Sequence, residues 1–313
     1  MSRQITQHIL MIRPAHFGYN PETAADNAFQ KRERTLSPEA IAHRAREEFN
    51  AMVERLQGAG VQVLVVDDSP EPPKPDAVFP NNWVSFHADG RVITYPMMAP
   101  IRRRERREEV LQAVGQRFHI RERLHLEPFE EAGKFLEGTG SLVLDRVHRL
   151  AYACLSERTH PEVLERFCSL TGYTAVPFHG TDTTGRPIYH TNVMMALGES
   201  FAVICLDAIA SEEEKAAVQQ RLEATGKEII PITQEQMSAF AGNMLQVAGT
   251  GGKPLTVLSE TAHRSLEPAQ LAALERHNPL LPCAIPVIET SGGGSVRCMM
   301  AEIFLPPKGE GAP

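Results

Sequence analysis

Apolar positions along the chain fall into two kinds of short run. The first kind is a pair of strand-length runs joined by a tight turn and preceded by a polar or Gly-rich entry. It occurs in DAVFPNNWVSFHADGRVITYPM, KFLEGTGSLVLDRVHRLAYACLS, IYHTNVMMALGESFAVICLDAI, FAGNMLQVAGTGGKPLTVLSE and SGGGSVRCMMAEIFLPP. Aligned on Asn82, Thr139, Asn192, Asn243 and Ser295, these segments recur at spacings of 57, 53, 51 and 52 residues. Their turns carry Asp89-Gly90, Asp145-Arg146, Gly198-Glu199 and Thr250-Gly251, residue types that accept hairpin backbone angles. The second kind has helical periodicity, over Ser37 to Gln57, Arg102 to Phe118, Pro161 to Leu170, Ser211 to Ala224 and Glu267 to His277. Ser211 followed by three glutamates supplies a capping hydroxyl and an acidic first turn. After each helix comes a short apolar strand: VQVLVV, RERLHL, YTAVPF, KEIIPI and AIPVIE. The almost wholly apolar VQVLVV predicts a strand buried on both faces.

A unit of hairpin, helix and strand repeated five times is not a doubly wound βαβ order, because each unit brings its own antiparallel pair. Five such units close most economically into a ring, which leaves no module at an open end. The expected fold is α/β, a five-module propeller of pseudo-fivefold ββαβ repeats. One catalytic domain over residues 1–306 follows, with SPEPPKPD (Ser69 to Asp76) as a loop and 307–313 as a disordered tail.

Composition narrows the function. The 313 residues are 42% hydrophobic and 23% charged with a net charge of −7, which describes a soluble globular chain. That balance argues against nucleic acid or an anionic membrane as partner. No apolar run approaches the ~20 residues of a membrane helix, and MSRQITQHILMIRP lacks the layout of a signal peptide. IRRRERREEV reads as a solvated helix face laced with i,i+4 ion pairs. GTGGKP fails as a phosphate loop, since a required glycine is missing and Pro254 stands where Ser or Thr belongs.

The five cysteines are scattered and form no CxxC pair, so neither a disulfide framework nor a metal site is expected. A reducing cytoplasm is the expected location. Cys154, Cys168 and Cys205 lie in apolar patterns and read as inert core thiols. Cys298 differs, because Gly292 to Gly294 give backbone close access to it. In a ring, the polar entries of the repeats gather at one end of the axis. They bring together Asn81 and Asn82, Glu137, His190 and Asn192, Asn243, and Arg297 with Cys298. A nucleophile, a general acid/base and an orienting carboxylate are then available in one place. Arg13, in the polar stretch after the first strand, is a candidate for bidentate capture of a substrate carboxylate.

With FPNN, LEGTGS, HTN and GGGSVRCM in that order, the sequence resembles the guanidino-group-modifying superfamily with the pentein fold. That superfamily includes arginine deiminases, dimethylarginine hydrolases and amidinotransferases. The resemblance covers nearly the whole chain and is nearest in type to arginine-deiminase-related proteins called citrulline-utilisation hydrolases. It implies Cys298 as nucleophile, His190 as general acid/base and Glu137 as the acid of an EGGD-like segment. Asn82, Asn192, Asn243 and Arg297 are then substrate contacts. Arginine deiminases carry acids at the positions of Asn82 and Asn192, and a further acid where Gly140 stands here. Uncharged amides suit a neutral ureido group better than a guanidinium. The resemblance therefore implies a cysteine hydrolase without cofactor or metal that cuts a C–N bond of an arginine-like amino acid. Citrulline is favoured, giving ornithine, carbon dioxide and ammonia. An arginine-deiminase-type hydrolase, an amidinotransferase and a non-catalytic binder of the same fold are the alternatives. A small-molecule amino acid is the expected partner, and a homodimer is left open.

Overall fold

A computed structural model describes residues 3–24, 27–32 and 35–309. Among them, fifteen strands form five sheets of three. Four modules follow the chain order: Val84–Phe86, Arg91–Thr94 and Glu122–His125; Val143–Asp145, Leu150–Cys154 and Thr174–Phe178; Met195–Leu197, Phe201–Ile204 and Glu228–Pro231; Leu245–Ala248, Pro254–Ser259 and Leu280–Cys283. In each, the first two strands form an antiparallel hairpin and the third returns parallel to the second. The helix that makes the return has readable start signals. Ser211 Oγ accepts from Glu214 N–H, and Pro161 and Pro268 fill first-turn positions that need no donor.

The module that holds both ends of the chain is built otherwise than expected. SGGGSVRCMMAEIFLPP is not a hairpin. It supplies one strand, Ala301–Glu302, which pairs antiparallel with His8–Arg13, Ile9 opposite Glu302. His8–Arg13 in turn pairs parallel with Gln62–Asp67. Pro306 and Pro307 have no N–H to offer a ladder, so the run cannot turn back on itself, and the first strand closes the ring.

Three further expectations are corrected. Gln62–Asp67 is the outer strand of its module and buries only Leu64; strands buried throughout include the central Leu150–Cys154 and Phe201–Ile204. AIPVIE is not a strand: Leu280–Cys283 takes the place in the sheet and Pro286–Gly292 is a helix. Its start is held by the Glu48 carboxylate, which accepts from Val287 N–H at 2.9 Å and Ile288 N–H at 3.0 Å. IRRRERREEV is not one solvated face. A 3-10 turn over Pro100–Glu105 precedes a helix at Glu108–Arg117, and Arg102 and Glu105 are buried. Within the stretch expected as a tail, Lys308 N–H donates to Arg117 O at 2.7 Å, and residues 310–313 lie outside the described residues.

First strands of neighbouring modules touch, Ala301–Glu302 with Val84–Phe86, Val143–Asp145 with Met195–Leu197, and Met195–Leu197 with Leu245–Ala248. They are therefore innermost. Each starts just after a polar entry, and the helical turn Gly138–Ser141 touches both Pro80–Asn82 and Thr191–Met194. The fold thus delivers the entries to one end of the axis. No helix among the described residues is long and apolar enough to cross a membrane.

Candidate active site

A pocket of about 280 Å³ empty volume opens at that end, lined among others by Asn82, His190, Cys298 and the glycines 292–294. Glu137 sits immediately before the turn Gly138–Ser141 and is fully buried. Its Oε1 accepts from Met98 N–H at 3.0 Å, and its Oε2 lies 2.8 Å from His190 Nε2. Arg158 and Arg102 place guanidinium nitrogens 3.4 and 3.9 Å from the same Oε2. Burial pushes this carboxyl up, but Arg158, the His190 hydrogen bond and charge, and Arg102 together outweigh burial and hold it well below the usual carboxylate range. Glu137 is therefore ionised and can only accept, so the His190 proton resides on Nε2. Burial first, with Arg158 and Arg102 adding to it, lowers the His190 pKa against the pull of Glu137. The resting ring is neutral, with Nδ1 free to take a proton.

Cys298 lies in the turn that follows Gly292–Gly294. Gly293 has φ +65° and ends the helix Pro286–Gly292 in the left-handed conformation. A Cβ on Gly294 would come within 2.9 Å of the Phe79 ring, so the glycines let the segment lie flat on that wall. Two amides aim at the sulfur: Asn243 Nδ2 donates to Sγ at 3.3 Å and Asn192 Nδ2 at 3.5 Å. Such donors stabilise negative charge as it develops on sulfur. Burial instead pushes the thiol of Cys154 up to about 12 and those of Cys168, Cys205 and Cys283 up to about 11.

Of the sequence candidates, Asn82, Glu137, His190, Asn192, Asn243 and Cys298 come together; two do not. Arg13 Nη1 is held by Asp67 at 2.7 Å and its Nε by Asn50 Oδ1 at 3.0 Å, and it does not line the pocket. Arg297 sends its side chain to Met300 O and Glu302 Oε2, each at 2.8 Å, and also stays out of the lining. Both are spent on local ion pairs or hydrogen bonds at strand ends.

Two arginines that sequence reasoning passed over take part instead. Arg102 holds Glu105 through two bonds of 2.8 and 2.9 Å and donates from Nη1 to Asn82 Oδ1 at 2.9 Å. Arg158 donates to Thr23 O at 3.2 Å and lies over the Tyr189 ring. Asp76, 3.7 Å from Arg102, completes the charged wall. The segment after the first strand also builds that wall. Asn20 Nδ2 donates to Asp76 Oδ2 at 2.7 Å, and Gln30 Nε2 to Ser291 O at 3.0 Å; Ala25 and Asp26 lie outside the described residues.

The buried atoms without a hydrogen-bond partner among the described residues include Asn82 Nδ2, Asn192 Oδ1 and Asp76 Oδ1, and both side-chain atoms of the neighbouring Asn81. Arg102 can only donate, so its contact fixes Asn82 Oδ1 as the occupied end and Nδ2 as the open donor. The unspent atoms are therefore of both polarities.

The model of the family described as N,N dimethylarginine dimethylhydrolase, eukaryotic, matches residues 13–305. No curated protein matches the chain by sequence. Among solved structures, the substrate-bound N-terminal domain of ArgZ, a cyanobacterial arginine dihydrolase of the ornithine-ammonia cycle, superposes with TM-score 0.74 at 16% identity. The match covers 96% of this chain and 98% of that one. Unliganded AgrE superposes with TM-score 0.71 at 16% identity, over 97% of this chain and 40% of its own. DDAH from Pseudomonas aeruginosa complexed with citrulline gives 0.66 at 16% identity, over 96% and 100%. At such identity these likenesses speak for the fold alone.

Proposed function

The chain belongs to the N,N-dimethylarginine dimethylhydrolase family, and we propose that this member is a cysteine hydrolase that cuts the ureido group of citrulline, giving ornithine, carbon dioxide and ammonia. The observation that carries the reading is the mixed polarity of the unspent atoms beside Cys298. A ureido group offers an oxygen for Asn82 Nδ2 and N–H groups for Asn192 Oδ1 and Asp76 Oδ1. A guanidinium carries only donors, and would leave the Asn82 N–H buried without an acceptor, a cost of ~1–3 kcal/mol. Arg102 and Arg158, on the same pocket wall, suit the substrate α-carboxylate.

In this reading His190 Nδ1 takes the Cys298 proton and Sγ attacks the ureido carbon, with the oxygen turned to Asn82 Nδ2. The imidazolium, stabilised by ionised Glu137, protonates the ornithine nitrogen as the C–N bond breaks. Water then attacks the thiocarbamate, giving up its proton to His190, and the resulting carbamate falls to carbon dioxide and ammonia. One water is consumed over the cycle, and Cys298 returns as the thiol.

Arginine is a second reading, supported by Asp76. Its carboxylate lines the pocket and Oδ1 has no partner among the described residues, so it can meet a guanidinium N–H. The decisive assay supplies citrulline and arginine separately at saturating concentration and measures ornithine and ammonia. Faster turnover of citrulline supports the proposal; faster turnover of arginine replaces it with the second reading.

A further inference from the structure

The strands that start at the active site end at a second cavity. Asn82 and Glu137 precede Val84–Phe86 and Val143–Asp145, while Ala88 and Arg146 follow the same strands and line a pocket of about 440 Å³ empty volume. Three arginines line it, Arg3, Arg146 and Arg149, with Thr171 and Tyr173 beside them, and Arg149 Nη1 donates to Thr171 O at 3.0 Å. The single carboxylate in the lining, Asp89, is taken by Arg91, whose Nε donates to it at 2.8 Å. Arg146 lies 4.0 Å above the centre of the Phe304 ring, which fixes the plane of its fork. Its Nη2 is 3.4 Å from Glu302 Oε2, the same oxygen that Arg297 Nη2 holds at 2.8 Å. One carboxylate oxygen thus serves two buried guanidiniums. The local field is positive enough to register on His87, whose ring is held down to about 3 by burial first and by Arg146 next. None of these groups takes part in the chemistry at Cys298, and the protein as a whole is acidic.

We propose that this pocket is a binding site for a compact oxyanion, a carboxylate or a phosphate, gripped by Arg3, Arg146 and Arg149, and that its occupancy is relayed to Cys298. Planar guanidinium forks match both oxyanions bidentately. The relay has three links. An oxyanion on Arg146 competes for the guanidinium and leaves Glu302 to Arg297. Arg297 precedes Cys298, and its N–H donates to Asn243 Oδ1 at 3.0 Å. Asn243 Nδ2 is one of the two donors on Sγ.

The test titrates inorganic phosphate and succinate separately into the protein by calorimetry, at constant ionic strength. Saturable binding of at least one is expected, weakened about tenfold by Arg149→Gln and by Arg3→Gln with the melting temperature of Arg3→Gln unchanged. The tighter arm tells a phosphate site from a carboxylate site. Absence of saturable binding by either anion, or affinity unaltered in both variants, overturns the site. The relay is read from the rate of Cys298 alkylation by iodoacetamide, which needs no turnover and so holds whatever the substrate is. A change of about threefold at saturating anion is expected, with its half-maximal anion concentration raised about tenfold in Arg3→Gln. An equal rate with and without bound anion overturns the relay.

Discussion

Gly140 lies against the imidazole of His190 so closely that a Cβ on it would stand 2.8 Å from Nδ1 and 2.4 Å from Asn82 Nδ2. The position where arginine deiminases carry an acid has no room for a side chain here. Gly140→Ala is expected to displace His190 and lower kcat by about 10²-fold, with the far-ultraviolet circular dichroism unchanged. Activity retained within a few-fold would show that the ring does not need this seat.

Replacing Cys298 by Ala removes the attacking atom and leaves the pocket walls in place. Turnover should vanish while citrulline still binds, measurable by calorimetry. Cys154→Ala is the contrast: it should keep kcat and lose only ~1–2 kcal/mol of stability from a buried site.

Acid should destabilise the protein in two stages. His190 is held below its ordinary pKa by burial, so the folded state prefers the neutral ring. Above about pH 6.5 this costs nothing; as pH falls below it, the unfolded chain takes up a proton that the native site resists. Glu137 is held low, so its stabilisation is present above the unfolded value near ~4.3 and is lost as pH falls toward the folded one. Melting temperature measured from about pH 8 to pH 3 should decline from ~6.5 and steepen below ~4.3. Glu137→Gln should remove the second stage and cost ~3–5 kcal/mol at neutral pH, because it leaves Arg158 with no opposite charge on Glu137.

Asn82→Asp keeps the oxygen that Arg102 holds and deletes the one N–H aimed at a substrate oxygen. Citrulline kcat/KM should fall about 10²-fold. Combined with Asn192→Asp, the change should move preference toward arginine, read as the ratio of the two kcat/KM values. A ratio that does not move would show that these amides do not select the substrate.

Much of the architecture could be read from the chain because a ring of repeats writes its period into the sequence. Asn82, Thr139, Asn192 and Asn243 occupy equivalent turns, so register alone brought Glu137, His190 and Cys298 to one end of the axis. What escaped is what register does not encode. Arg102 is one arginine in a charged run, and only the 3-10 turn over Pro100–Glu105 points it inward toward Glu105 and Asn82. Arg158 follows its hairpin, and reaches Glu137 and Thr23 through tertiary folding. Arg13 carried the right chemistry, but Asp67, directly opposite it in the parallel ladder, claims its charge.

The pairing of Ile9 with Glu302 makes the ring a structure of very long sequence reach. A ribosome must deliver residue 302 before the strand at residues 8–13, already matched to Gln62–Asp67, finds its second partner, and the same final stretch carries Cys298. The nucleophile therefore docks only after the other four modules exist, which ties the appearance of catalytic power to completion of the whole circle and places this protein among slowly closing topologies. A permuted chain with residues 3 and 309 joined by a flexible linker and reopened at the Thr250–Gly252 turn should close the same circle. In that permutant the cysteine segment would emerge early, and refolding kinetics would report whether its late arrival sets the pace.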